Sequence, residues 1–249
     1  MTYAVPSPFR LVHLAQAVST QDEADRLARD GCPGWTLVVA DRQTGGRGRF
    51  SRPWVSEPGN LYATLVLRPD KGQPPPGTSI GLIGLATGLA VWEAASALTA
   101  GPGLMLKWPN DVLLRGAKLS GILVELSGGC ILVGFGVNLA HSPRGLPYAT
   151  ACLADATGQA PTVQDCLDAL LPRLLVRLEG FLMQGFEPMR PDYLRRLSGL
   201  GETVTVHRDA ARTDRLDGIL RGIDGHGRLL LEQDGRLEPV SAGDVAVRG

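Results

Sequence analysis

The chain has few of the residues that build covalent or metal-held frameworks. Its four cysteines, Cys32, Cys130, Cys152 and Cys166, are spread out with no CxxC pair. That spacing argues against a zinc ribbon or a disulfide lattice and suits a reducing, cytoplasmic setting. His13, His141, His207 and His226 are isolated, with no HxH or HExxH spacing, so each reads as structural or solvated. No GxSxG elbow and no Cys–His pairing announces a covalent nucleophile. Net charge is missing too: 25 Lys+Arg balance 25 Asp+Glu. No global field draws the chain to nucleic acid or to a membrane surface, and any anion binding must come from local clusters. The best candidate for a membrane span, residues 80–98, carries Glu93 and several glycines. The N-terminus lacks the long apolar run of a signal peptide.

What is present belongs to an ordinary globular protein, with 44% hydrophobic and 20% charged residues. A length of 249 residues fits one large domain and one small one. Residues 20–31 read as a helix, with capping-box spacing between Thr20 and Glu23, a stripe of Ala24, Leu27 and Ala28, and Gly31 with Pro33 to end it. Strands are expected over 35–40, 61–67, 104–107, 119–126 and 130–137. A proline-rich loop is expected over 68–77 and an apolar helix over 79–98. Leucines at helical spacing predict a second long helix over 162–183, kinked at Pro172. From about residue 199 short alternating strands, separated by Asp224-Gly225 and Asp234-Gly235, predict a small β-barrel. The whole is α/β: a central mixed sheet with packed helices in residues 1–198, and the barrel in 199–249.

Four segments could carry chemistry. In QTGGRGRFSRPW, residues 43–54, glycines let backbone N–H groups converge on an anion, and Arg47, Arg49 and Arg52 add planar charged forks. A basic RNA-binding loop would look the same. In LKWPND, Lys107, Asn110 and Asp111 follow a strand, where sheets often present ligand contacts, although a plain Asx turn has the same composition. In RGAKLSGILVEL, Lys118 precedes a strand that Gly121 interrupts. In GFGVN, Gly136 leaves room for close approach, and Asn138 needs a polar partner if buried. Glycine-rich ends, arginines and one lysine, with no nucleophile, point to electrostatic catalysis on a phosphate ester.

In this order, the Ser19-Thr20-Gln21 run, GRGRFSRPW (46–54), KWPND (107–111), KLSGILVE (118–125) and GFGVN (134–138) resemble the bacterial biotin–[acetyl-CoA carboxylase] ligase family. Gln21 stands where the family usually has Asn, and Phe50-Ser51 replace the commoner Arg-Gly. With about twenty residues before the first helix, the chain is similar to the monofunctional type, for which no repressor activity and no specific DNA are expected. The resemblance implies a class II aminoacyl-tRNA synthetase-like catalytic fold and an SH3-like tail that serves the nucleotide site. It implies ATP and biotin as substrates, Mg2+ as cofactor, biotinyl-5′-AMP as intermediate, and a lysine of a biotin carboxyl carrier domain as acceptor. By motif, Ser19, Thr20, Gln21, Gln43, Gly46, Arg47, Gly48, Arg49, Lys118, Gly121 and Gly136 would contact biotin. Arg49, Arg52, Trp54, Asn60, Lys107, Asn110 and Asn138 would contact the nucleotide. Lys118, Arg47, Arg49 and Asp111 would be catalytic, Asp111 either binding Mg2+ or orienting Lys118. A mobile arginine loop over 41–59, ordered by an anion, and a homodimer through an edge strand also fit the resemblance. A lipoate–protein ligase, a nucleic-acid-binding protein and a biotin sensor without ligase activity are the rival readings.

Overall fold

The computed structural model of the chain describes residues 3–69, 79–99, 103–209 and 211–247. A seven-stranded sheet forms the body, in the order β1 (Arg10–Leu14), β2 (Thr36–Ala40), β3 (Leu61–Leu67), β7 (Cys130–Val137), β6 (Ala117–Ser127), β5 (Asp111–Leu114), β4 (Leu104–Lys107). β1 and β2 run parallel and the other neighbours antiparallel, so the sheet is mixed as expected. Strands β1 and β5 were not anticipated. Most of the expected loop over 68–77 lies outside the described residues.

The sheet is covered on both faces, which is why its central strands read as unbroken apolar runs. α2 (Gly81–Thr99) and α4 (Val163–Gln184) pack over one face. Leu37, Val39, Leu65, Val133 and Phe135 point into that core, whose remaining members come from α2, α4 and the C-terminal strands. By length and composition α2 would suffice to cross a membrane, but two thirds of it is buried inside the protein. The small residues on it let it lie close: Gly84 and Gly88 face Ile122 on β6. α4 continues through Pro172 as one helix. A cap of Thr162 and Asp165 satisfies its first turn.

α1 (Thr20–Arg29) packs on the opposite face, with Ala24 and Ala28 against Val38, Val66, Cys130 and Leu132. Its N-cap is Ser19, whose Oγ accepts from the backbone N–H of Gln21 at 3.1 Å; the expected cap at Thr20 is off by one residue. α1 covers only part of this face, and the remainder is the floor of the site.

Short helices α3 (Ala154–Thr157) and α5 (Arg190–Leu194) lead to the C-terminal sheet, ordered β11 (Arg236–Val240), β10 (Leu229–Gln233), β9 (Arg215–Ile223), β8 (Thr203–His207), β12 (Asp244–Val247). Both expected hairpin turns are present: Asp224–Gly227 joins β9 to β10, and Asp234-Gly235, both at positive φ, joins β10 to β11. β11 and β12 do not pair, so the expected barrel is an open five-stranded sheet. The Trp108 indole N–H donates to the Gly227 carbonyl at 2.9 Å and pins this sheet to the body.

Candidate active site

A cavity of about 290 Å³ opens on the α1 face of the sheet, between the arginine loop and the C-terminal sheet. At its α1 end the neutral side chains of Ser19, Thr20, Gln21 and Gln43 line it, with the Arg47–Asp22 ion pair beside them. Thr20 donates from its backbone N–H and its hydroxyl to Gln43 Oε1, at 2.8 and 3.1 Å. Gln43 Nε2 donates to Ser56 Oγ at 2.9 Å. The Thr64 hydroxyl lies within reach of Thr20 Oγ1 and Gln21 Oε1, at 2.9 and 3.1 Å. Gln21 is 3% exposed, and its Nε2 has no partner. A buried donor left open costs about 1–3 kcal/mol, so this end is built for a ligand acceptor. Gly134 makes the longer Gln21 side chain possible, because a Cβ there would stand 2.5 Å from Gln21 Oε1.

The opposite end is cationic. The Lys118 ammonium lies 2.8 Å from Asp111 Oδ1 and about 5.5 Å from the rings of Trp54 (5.4 Å) and Tyr148 (5.6 Å). A β-bulge aims it: Val112 pairs with Ser120 but Leu113 with Lys118, leaving Leu119 as the extra residue. Strand side chains alternate between faces. Were residues 118–122 a regular strand, Lys118 would share the helix-side face with Ser120 and Ile122; the bulge at Leu119 returns it to the cavity face beside Gly121. The Trp54 indole lies over Gly121 and Gly136, where added Cβ atoms would come to 3.0 and 2.6 Å of its ring. Those glycines therefore seat Trp54, and ligand approach above them is to the indole. Trp54 Nε1 is buried and unpartnered.

The arginine loop folds into a tight hairpin, with Arg47 and Pro53 bridged. Arg47, Arg49 and Arg52 each have a carboxylate. Arg47 pairs with Asp22 and with Glu125 (3.3 Å) and approaches the Ser19 hydroxyl at 3.4 Å. Arg49 donates to Asp244, the Gly243 carbonyl and Asn110 Oδ1, at 3.2, 3.1 and 3.3 Å. Arg52 donates to the other Asp244 oxygen at 2.6 Å. Arg47, Arg49 and Arg52 are thus each held by acidic side chains before any ligand arrives. Burial pulls the Arg49 pKa down against the pull of Asp244 and Asp111. Gly48 and Lys107 line the cavity; Gly46 sits beneath the loop, accepting from the Trp54 backbone N–H at its carbonyl.

The two remaining asparagines lie apart. Asn60 Oδ1 accepts from the backbone N–H groups of Leu139, Ala140 and His141, and its Nδ2 donates to the His141 carbonyl. This clamp holds the 139–141 segment and does not line the cavity, so the expected nucleotide contact at Asn60 gives way to a structural role. Asn138 lines a small recess behind Trp54 and Tyr148, with Nδ2 on the Ala151 carbonyl and Oδ1 buried and open. Asp244, His207, Arg212 and Tyr148 also line the site. None carries a motif, and only the fold brings them there.

A cavity with a neutral hydrogen-bonding end, an aromatic floor and a cationic end defines a protein that binds a long organic acid and acts on its carboxylate. Residues 16–140 match the biotin/lipoate A/B protein ligase family, and residues 199–248 the biotin protein ligase C terminal domain. The chain is 37% identical to a biotin–[acetyl-CoA-carboxylase] ligase of Paracoccus denitrificans, over 95% of this chain and all of that one. It is 31% identical to a bifunctional ligase/repressor of Bacillus subtilis, over 91% of this chain and 70% of that one. It superposes on the biotin protein ligase of Aquifex aeolicus in complex with biotin and ATP with a TM-score of 0.83, at 30% identity, covering 96% of this chain and 98% of that one. The chain belongs to the biotin protein ligase family.

Proposed function

We propose that this chain is an ATP-dependent biotin–protein ligase that modifies the carrier domain of acetyl-CoA carboxylase. The observation that carries the reading is the polarity of one cavity: the open Gln21 amide at one end and the Lys118–Asp111 pair at the other. Biotin has the same polarity, with a neutral ureido ring, an apolar chain and a terminal carboxylate. Ser19, Thr20, Gln21 and Gln43 take the ring, Trp54 and Leu123 flank the chain, and Lys118, Arg47 and Arg49 receive the carboxylate and the α-phosphate.

In the first step a carboxylate oxygen attacks the α-phosphorus. The bond to the bridging oxygen breaks, and pyrophosphate leaves with that electron pair. In the second step a carrier lysine amine attacks the acyl carbon, the amine loses a proton, and AMP leaves. Negative charge builds on oxygens in both steps, and fixed cationic donors stabilise it without reorganising. Arg49, Arg52, Lys107 and Asn110 hold the phosphates and ribose. Asn138 Oδ1, buried and open in the recess beside Trp54, is the candidate acceptor for the adenine amine.

Among the described residues no three His, Cys, Asp or Glu side chains gather to hold a metal. Asp111 is occupied by Lys118, so the protein's own donors do not fit a resident Mg2+. Magnesium then arrives with ATP, and Asp111 orients Lys118. We place the domain boundary at 198/199, the protein in the cytoplasm, and the free edge of β1 as the seam of a homodimer. Biotin-dependent ATP–pyrophosphate exchange tests the activity. We expect exchange with biotin and little with lipoate; equal exchange with both acids would contradict the reading.

A further inference from the structure

The cavity wall opposite the arginine loop belongs to the C-terminal sheet, and no motif in the chain assigns a role to the individual side chains on it. His207 ends β8 directly across from Asp244 on β12, the carboxylate that holds Arg49 and Arg52. Both side chains line the cavity. His207 Nδ1 is buried without a partner, and no described side chain bonds to the ring. Arg212, in the β8–β9 turn, also lines the cavity and makes no ion pair among the described residues. It sits at φ 60°, a strained position for a non-glycine residue. Its neighbours behave differently: Arg208 pairs with Asp214, and Asp209 caps the turn. The turn is thus held by its own carboxylates while one arginine is left facing the cavity.

The charge of the lining points the same way. Arg47, Arg49, Arg52, Lys107, Lys118 and Arg212 line the cavity with two carboxylates, Asp111 and Asp244; Arg47 is neutralised from outside the lining by Asp22 and Glu125, and the other five cations still outnumber the carboxylates. That excess suits a polyanion far better than the single carboxylate of the acid substrate. Lys118 and Arg47 belong to the reacting end, so the surplus lies on the C-terminal side.

We propose that His207 and Arg212 form a polyphosphate subsite that grips the β- and γ-phosphates of ATP and the departing pyrophosphate. The inference rests on the ligase reading for its chemistry, but the anion site stands without it. As the bond from the α-phosphorus to the bridging oxygen breaks, the electron pair moves onto pyrophosphate. Arg212 and the His207 ring, with Arg52 across the cavity, receive that charge. Phosphate oxygens draw Arg49 and Arg52 off Asp244, which couples the C-terminal sheet to nucleotide binding.

The test uses the full chain as wild type, Arg212→Met, His207→Gln and the double variant. Inorganic tripolyphosphate binding is measured by calorimetry, without biotin. We expect the double variant to bind at least tenfold more weakly and Arg212→Met to lose about half of that effect on a logarithmic scale. The KM for ATP should rise in step, while biotin affinity and transfer from preformed biotinyl-5′-AMP stay within about twofold. Arg212 is exposed, so its substitution is not expected to disturb folding. Unchanged tripolyphosphate binding overturns the subsite. So does an equal loss in transfer from the preformed adenylate, which would make this turn a carrier contact. If wild type binds tripolyphosphate and the variants do not, yet no biotinyl-5′-AMP forms, the subsite stands and the ligase reading falls.

Discussion

At the scale of single residues, the account hangs on Lys118. Its ammonium is held at the cavity floor by a carboxylate and two rings. Replacing it with alanine removes a preorganised donor, which typically costs about 3 kcal/mol, or roughly 10²- to 10³-fold in rate. Lys118→Ala should fold normally and form the adenylate at least about a hundredfold more slowly; single-turnover kinetics within threefold of wild type would remove Lys118 from the mechanism. Lys118→Arg should not rescue, because a planar fork differs from a compact ammonium in reach and geometry. Gly136 gives a second prediction. A methyl there would stand 2.6 Å from the Trp54 indole, and overpacking of this kind costs about 1–3 kcal/mol. Gly136→Ala should displace Trp54, shift its fluorescence and weaken biotin binding, while an unchanged spectrum and affinity would show that the indole is not seated on this glycine.

Elements show how far the sequence could be read. The extents of β3, β7 and α1 follow from apolar pattern and caps, and the KLSGILVE run lies on a strand as expected. The edge strand β1 was missed because RLVHL mixes charge with apolar residues beside a single neighbour. β5 was missed because Asn110-Asp111 reads as a turn, although the strand begins at Asp111. The bulge at Leu119 leaves no local trace, since nothing in KLSGI marks the extra residue; only pairing with β5 reveals it. It yields a direct prediction. Leu119 is 0% exposed at the bulge, so Leu119→Ala should lower stability by about 2–5 kcal/mol and, by loosening the bulge that carries Lys118, slow adenylation. Unchanged stability and rate would refute the role of the bulge.

The whole molecule adds what motifs could not. Asp244 lies nearly two hundred residues from Arg49 and Arg52 yet bonds to both. Nothing about a lone aspartate in AGDVAV announces this, because closure of one sheet over another is a tertiary event. Open strand order in the tail was equally illegible, since alternation and turn residues are shared by open sheets and barrels. One hydrophobic core runs from Leu37 through α2 and α4 to Leu220 and Val245, so we expect a single cooperative unfolding transition by calorimetry. Two well-separated transitions would show that the tail folds alone. The burial of three of four thiols, with Cys166 pushed up to about 12 by its apolar surroundings, predicts that Cys32 alone reacts with a thiol reagent in the native protein.

The central claim is that this cavity joins biotin to a carrier lysine. Purified protein, biotin and Mg-ATP are incubated with the carrier domain of an acetyl-CoA carboxylase, and intact-mass spectrometry reads the product. The account predicts one added biotinyl group per carrier, lost when the acceptor lysine is replaced by arginine and strongly slowed by Lys118→Ala. An unmodified carrier in the presence of active ATP and biotin, or modification indifferent to both substitutions, would contradict it.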